Sequence, residues 1–145
     1  MPPSKPALET QASGIDYRRN EAYKNEYANN VFMESTAWDL KFTFGQVDQS
    51  AGPNVVVQHT GITLPWPQAK VLLYFLQANI AIQELNNGHI AVPQNVIPDI
   101  PLPDKEMTKQ FPNSLDIHAA LSRLRDDFIA ANPEAAPSKP PSHEN

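Results

Sequence analysis

Residues 65–88 read PWPQAKVLLYFLQANIAIQELNNG, and this stretch decides the fold. Its opening prolines suit the first turn of a helix, where the missing N–H has no intrahelical acceptor. The segment closes on Asn87 and Gly88, and glycine adopts the left-handed conformation of a helix C-cap at little cost. The pattern therefore predicts one long helix that extends from this proline segment to about Asn86.

The predicted helix has two apolar faces when its residues are projected at 100° each. The first face contains Ala69, Leu72, Leu73, Leu76 and Ile80. The opposite face, called here the interface face, contains Val71, Tyr74, Phe75, Ala78, Ile82 and Leu85. Gln68, Asn79 and Gln83 lie on one polar boundary, and Lys70, Gln77 and Glu84 on the other.

Two apolar faces require two partners, because a helix that covers a single small sheet needs only one. We expect the sheet of the same chain to cover the first face. For the interface face, the candidates are the same helix of a second subunit, across a two-fold axis, and the C-terminal helix of the same chain.

The residues before this helix predict a small antiparallel sheet. Residues 30–35 are a short β-prone run, and residues 38–44 alternate aromatic or aliphatic side chains with polar ones. Residues 46–54 have turn chemistry, and residues 55–62 supply a third, β-branched run. A further short strand is expected at 89–92, so the predicted fold class is α+β, with three or four strands packed on one long helix.

The rest of the chain divides by composition. We expect a flexible N-terminal arm at 1–26, a β-β-β-α core at 27–92, a proline-rich extended spacer at 93–113 and a disordered tail at 132–145. Between spacer and tail, Ser114 is the predicted cap of an amphipathic helix at 114–131. Its narrow apolar stripe, a predicted partner-docking surface, consists of Ile117, Leu121, Leu124 and Phe128.

Composition excludes several classes of function. The 145 residues carry a formal net charge of -5. They include no cysteine, and this excludes disulfides, thiolate catalysis and cysteine zinc sites. The negative balance opposes non-specific attraction to nucleic acid or to an anionic membrane. The chain shows neither a signal-peptide pattern nor an apolar run of membrane-spanning length, so we expect a cytoplasmic protein without nucleic-acid or membrane partners.

No motif predicts catalytic, cofactor-binding or metal-binding residues. The histidines lack the spacing that brings two imidazoles to one metal, and the glycines form no phosphate-binding loop. His59 and His89 are interpreted as structural histidines. Glu34 and Asp39, five residues apart across a predicted turn, are expected to face water, although they could converge as an acid and base pair.

One group of short motifs resembles a bacterial family known only as a domain of unknown function. The motifs are Tyr27 with Asn29, the aromatic strand at 38–44, Pro65 through Lys70, and a helix end with Glu84, Gly88 and Ile90. The resemblance covers about residues 27–92. It implies no catalytic residue, because the family has none assigned.

Three functional hypotheses follow. The first is a non-enzymatic homo-oligomer, with a dimer as its simplest form, whose tails recruit an unidentified protein. The second is a chaperone-like protein that binds extended apolar segments in a groove. The third is a small enzyme that uses a tyrosine, His59 or His89 with Glu84. Trp66, between two prolines, is expected to be a buried lid on the core rather than an exposed contact.

Overall fold

The computed structural model describes residues 14–134 and has an α+β fold, as predicted. Its elements follow the chain in the order β1 (Asn30–Ser35), β2 (Asp39–Val47), β3 (Val56–Pro65), α1 (Trp66–Asn87), α2 (Lys105–Gln110) and α3 (Ser114–Ala131). The chain divides into two compact units between Asn86 and Asn87. Residues 1–13 of the predicted arm and 135–145 of the predicted tail lie outside the described residues.

The three strands form an antiparallel sheet in the order β1-β2-β3. Met33 lies opposite Phe42, and Phe42 lies opposite Ile62 on the other side. Residues opposite each other in an antiparallel pair share a face, so the register collects the apolar side chains on one side of the sheet. The alternation of residues 38–44 predicted this arrangement. The prediction of a further strand at 89–92 was wrong, because residues 88–93 are irregular in the structure.

A β-bulge at Gly45 interrupts the pairing of β2 with β3. Phe44 lies opposite Thr60, whereas Gly45 lies opposite Gln58, so His59 has no residue across from it. Gly45 is buried, and a Cβ at this position would lie 2.6 Å from the Val57 carbonyl oxygen. Only glycine therefore allows the two backbones to approach this closely.

Side chains close both turns of the sheet. At the β1-β2 turn, the Thr36 hydroxyl accepts from the backbone N–H groups of Trp38 and Asp39 at 3.1 Å and donates to the Asp39 carboxylate at 2.7 Å. At the start of the β2-β3 turn, the Asp48 carboxylate accepts from the Ser50 hydroxyl at 2.6 Å and from the Ser50 N–H at 2.9 Å. These bonds hold the pKa of Asp48 below its ordinary value of 3.8.

Helix α1 begins where β3 ends. The Trp66 indole N–H donates to the Thr36 carbonyl at 3.1 Å, which ties the first residue of the helix to the β1-β2 turn. The helix ends at Asn87, and Gly88 follows with a φ of 89°. This is the left-handed conformation that the predicted C-cap requires.

The second unit differs from the predicted spacer and helix in two places. Residues 105–110, inside the expected extended spacer, form α2, because the Asp104 carboxylate caps it by accepting from the Met107 N–H at 2.7 Å. Helix α3 has the predicted bounds, but Asn113 and not Ser114 occupies its N-cap position. The chain already turns at Asn113, where ψ is 3°, and Ser114 is the first residue within the helix.

Replacing Gly45 should destabilise the sheet. We expect Gly45→Ala to lower the free energy of unfolding by about 2 kcal/mol, because the added methyl group collides with the β3 backbone. Gly61→Ala is the matched control, since a Cβ there meets only the Lys41 Cε at 3.8 Å. Urea denaturation of both variants tests this, and equal losses for the two would contradict the bulge constraint.

Stability should depend on pH through Asp48. Its pKa is lowered in the fold, so its contribution is fully present above the unfolded pKa of about 4 and is lost as pH falls through the folded pKa. An NMR titration should find its carboxyl carbon titrating below that of a typical aspartate, and Ser50→Ala should move the midpoint upward. An unchanged midpoint in that variant would refute the assigned cause.

Candidate interaction surface

Helix α1 has no buried residue along its whole length. On the interface face, Tyr74 is 60% exposed and Leu85 is 87% exposed, while Phe75, Ala78 and Ile82 are half-buried. Val71, the remaining member of this face, is exposed. All six residues predicted for the interface lie on α1, and three of them are exposed while three are half-buried.

The first face of α1 is also only partly covered. Leu73, Leu76 and Ile80 are exposed, whereas Ala69 and Leu72 are half-buried. The helix is tied to the sheet at its first residue, Trp66, and the half-buried positions Ala69 and Leu72 lie within its first two turns. The rest of this face is apolar surface.

The polar residues of α1 lie on the two boundaries between its apolar faces. The Asn79 amide donates to the Phe75 carbonyl one turn earlier at 2.9 Å, so this boundary residue is bonded within the helix. Lys70 and Glu84 are the only charged residues of α1, and they lie on the other boundary with Gln77 between them. This boundary is called the charged row below.

The sheet adds a second apolar surface. Phe42 and Phe44 stack with ring centroids 6.3 Å apart and are half-buried. On the flanking strands and the same face, Val31, Met33 and Ile62 are exposed. In a closed globular domain these cross-strand neighbours would be core residues.

No hydrophobic residue between Gly14 and Glu134 is buried. Burying an aromatic side chain removes on the order of 150 Å² from water, at about 25 cal/mol per Å². The exposed faces of α1 and of the sheet therefore leave several kcal/mol of hydrophobic stabilisation unused in the single chain. This combined apolar surface is the candidate site.

The segment before β1 is fastened to the sheet beside the bulge. The Asn29 side chain accepts from the Val47 N–H at 2.9 Å, and the Tyr27 carbonyl accepts from the Gln46 amide at 2.8 Å. The Tyr27 ring itself is exposed. In the motif formed by Tyr27 and Asn29, Asn29 therefore binds the sheet through its side chain and Tyr27 through its backbone carbonyl. The local sequence does not predict either contact, because each joins residues 18 or more positions apart.

Residues that precede this anchor also line the sheet. Ala22, Lys24 and Glu26 form one side of an open cleft of about 530 Å³, and Phe44 and Ile62 lie on the other. Arg19 stacks on the Tyr23 ring, 4.8 Å from its centroid. Residues 22–26 of the expected flexible arm therefore adjoin the apolar sheet face.

His59 occupies a structural position in the bulge, in agreement with its interpretation as a structural histidine. Its Nε2 lies 3.0 Å from the Tyr27 carbonyl oxygen and its Nδ1 lies 2.8 Å from the Thr60 hydroxyl. A carbonyl only accepts, so Nε2 carries the proton, and in the neutral ring Nδ1 accepts from Thr60. Both ring nitrogens are thus engaged.

The two carboxylates of the candidate acid and base pair have separate partners. Glu34 lies 3.3 Å from the Lys41 ammonium across the β1-β2 pair, whereas Asp39 bonds to Thr36 in the turn. No three potential metal ligands of the described residues lie close enough to hold an ion. Within residues 14–134, no helix has the length and hydropathy that a membrane crossing requires.

The predicted docking stripe of α3 is exposed in its own unit at all four positions, Ile117, Leu121, Leu124 and Phe128. Arg125 of α3 is half-buried. Its Nε donates to the Pro98 carbonyl at 3.0 Å and its guanidinium lies 2.8 Å from the Asp99 carboxylate, so it holds the proline-rich segment against α3. The sequence gives no local signal for a contact between residues this far apart.

Trp66 is 39% exposed. It covers the β1-β2 turn through its indole hydrogen bond to Thr36, but it is not the fully buried lid expected from the sequence. Its ring therefore contributes both a polar anchor and apolar surface at the start of α1.

Removing the indole donor should loosen the junction of sheet and helix. We expect Trp66→Phe to lower the free energy of unfolding by about 1 kcal/mol, the usual net value of one hydrogen bond. Trp38→Phe, at a residue that is 84% exposed, should change it by less than about 0.5 kcal/mol. Thermal unfolding by circular dichroism measures both, and an equal effect of the two substitutions would remove the anchoring role from Trp66.

Comparisons with protein-family models, with curated proteins and with solved structures found no match to this chain. The resemblance to a bacterial family of unknown function therefore stays a prediction.

Proposed function

We propose that this protein is a non-enzymatic interaction module that self-associates through the interface face of α1, with the homodimer as the working unit. The observation that carries the proposal is the absence of any buried hydrophobic side chain among residues 14–134, together with an α1 that has two apolar faces. A folded domain needs buried apolar surface to offset its chain entropy. A second copy supplies that surface without any further component.

The composition of α1 supports self-association over binding to a charged partner. In 22 residues the helix has one lysine and one glutamate, with no net charge. An isologous contact brings the same patch together from both subunits, so a patch without net charge avoids self-repulsion. Tyr74 and Phe75, whose rings lie 5.4 Å apart, provide the type of aromatic anchor that dominates protein interfaces.

The apolar stripe of α3 is proposed to bind a different protein. Its four exposed apolar positions recur on one side of an amphipathic helix, which is the pattern of a helix that docks in a groove. We assign this stripe to an unidentified protein partner and α1 to the second copy. A place in the bacterial cytoplasm belongs to the same proposal.

Substituting the interface face should dissociate the oligomer. Size-exclusion chromatography with light scattering should give the full chain a mass of about twice its 16.1 kDa. Tyr74→Asp should shift it toward the monomer, because the charge would be buried at the contact. Tyr27→Asp is the matched control, since Tyr27 is 71% exposed and lies off α1, compared with 60% for Tyr74.

The proposal requires that only the α1 variant change the mass. A wild-type chain that stays monomeric while well folded would refute it. A Tyr27→Asp variant that dissociates as readily as Tyr74→Asp would place the contact elsewhere.

The sheet supports a second candidate, chaperone-like binding of extended apolar segments. Its apolar face includes the exposed side chains of Val31, Met33 and Ile62, and β1 is an edge strand whose outer backbone groups are available for pairing. An apolar dye should bind the assembled protein strongly, and an unfolded peptide should displace it. A dimer joined through the interface face leaves the sheet face open, so displacement of the dye by the peptide, and not dye binding alone, separates the two candidates, and a peptide that displaces no dye would refute the chaperone-like one.

A further inference from the structure

The charged row of α1 has an order that bears on how two copies meet. Lys70, Gln77 and Glu84 follow one another at intervals of seven residues, so they lie in one row along the helix. The row is positive near the start of the helix, neutral in the middle and negative near the end. It borders the interface face rather than lying within it.

A heptad assignment locates the charged row relative to the interface face. With Val71, Ala78 and Leu85 at position a, Tyr74 and Ala81 fall at d, Phe75 and Ile82 at e, and the charged row at g. An a, d and e face is the wide apolar stripe of a helix that packs on another helix. Residues at g flank such a contact, where charge pairing sets the orientation of the partner.

From this order we infer that two copies pair their α1 helices antiparallel, about a two-fold axis level with Gln77. The inference rests on the proposed self-association and adds its orientation, its register and the residues that select them. A two-fold axis perpendicular to both helices places the g row of one subunit beside the g row of the other, running in the opposite direction. Lys70 then meets Glu84 of the partner subunit, and the same pair forms a second time by symmetry.

The parallel arrangement lacks this complementarity. In parallel pairs the g row of one helix faces the e row of the other, which here contains Phe75 and Ile82. Both charges would then border apolar side chains with no opposite charge across the contact.

Charge exchange between Lys70 and Glu84 tests the inference in the full chain. Lys70→Glu creates two Glu-Glu contacts across the axis, and Glu84→Lys creates two Lys-Lys contacts. We expect each to raise the dimer dissociation constant by about tenfold at low salt, and less at high salt. The double variant Lys70→Glu with Glu84→Lys restores both pairs and should return to within about twofold of the wild type.

Mixing the two single variants provides a second readout. One then carries two glutamates in the row and the other two lysines, so the heterodimer has both pairs and each homodimer has none. Native mass spectrometry of the mixture should find the heterodimer well above its statistical share of one half. Fourteen residues, about 21 Å of helix, separate the two charges within one chain, so this preference cannot come from a contact inside α1.

The possible outcomes separate the antiparallel register from the self-association itself. A dimer in which neither single variant weakens association, or in which the double variant is not restored, would overturn the antiparallel register while leaving the self-association intact. A loss confined to Glu84→Lys, with no restoration, would assign Glu84 a role within its own chain and also overturn the register. A folded wild-type monomer would refute the proposed function itself.

Discussion

Residues 14–134 leave the apolar surfaces of the sheet and of α1 without a buried core, and the proposed self-association depends on this shortage of burial. The sheet collects its aliphatic and aromatic side chains on one face, and α1 carries apolar residues on two, yet none of these side chains in residues 14–134 is buried. A domain of this size normally draws most of its stability from buried apolar area. The apolar surface that most domains bury as a core is exposed here, and the proposed dimer would cover part of it.

Close backbone contacts give the sheet its definite shape despite this open arrangement. Gly45 lets β2 approach β3 at the bulge, and the bulge frees His59 from strand pairing so that its ring bonds the Tyr27 carbonyl. Asn29 and Gln46 add two more bonds to the same region. The first unit is thus held together by hydrogen bonds and a close backbone contact, while much of its apolar sheet face stays exposed.

The orientation proposed for the helix pair would need only one positive and one negative side chain on each α1. Apolar contact supplies affinity in either direction, because it has no directionality. Two opposite charges at the two ends of the charged row would distinguish the parallel from the antiparallel pair, since only the antiparallel pair brings opposite charges together. A helix with more charge would select more strongly but would lose apolar surface.

Local patterns predicted most of the elements correctly. The alternation at residues 38–44 and the Pro65 to Gly88 segment established β2 and α1 to within a few residues, because side-chain period and capping act over short distances. The Asp104 cap of α2 was also readable from the sequence, as an aspartate before a short polar helix, but the surrounding prolines favoured an extended segment. Ser114 was misassigned because the turn at Asn113 moved the cap back by one residue.

By itself the sequence determined the strand and helix pattern, the two-faced α1, the charged row, and the absence of cysteine chemistry, since these depend only on residue types and their spacing. Tertiary structure alone decided the bulge opposite Gly45, the bonds of His59 and of Arg125, and the separate partners of Glu34 and Asp39. Each of these contacts joins residues across strands or between distant segments. Such contacts depend on register and chain path, which no short-range pattern encodes.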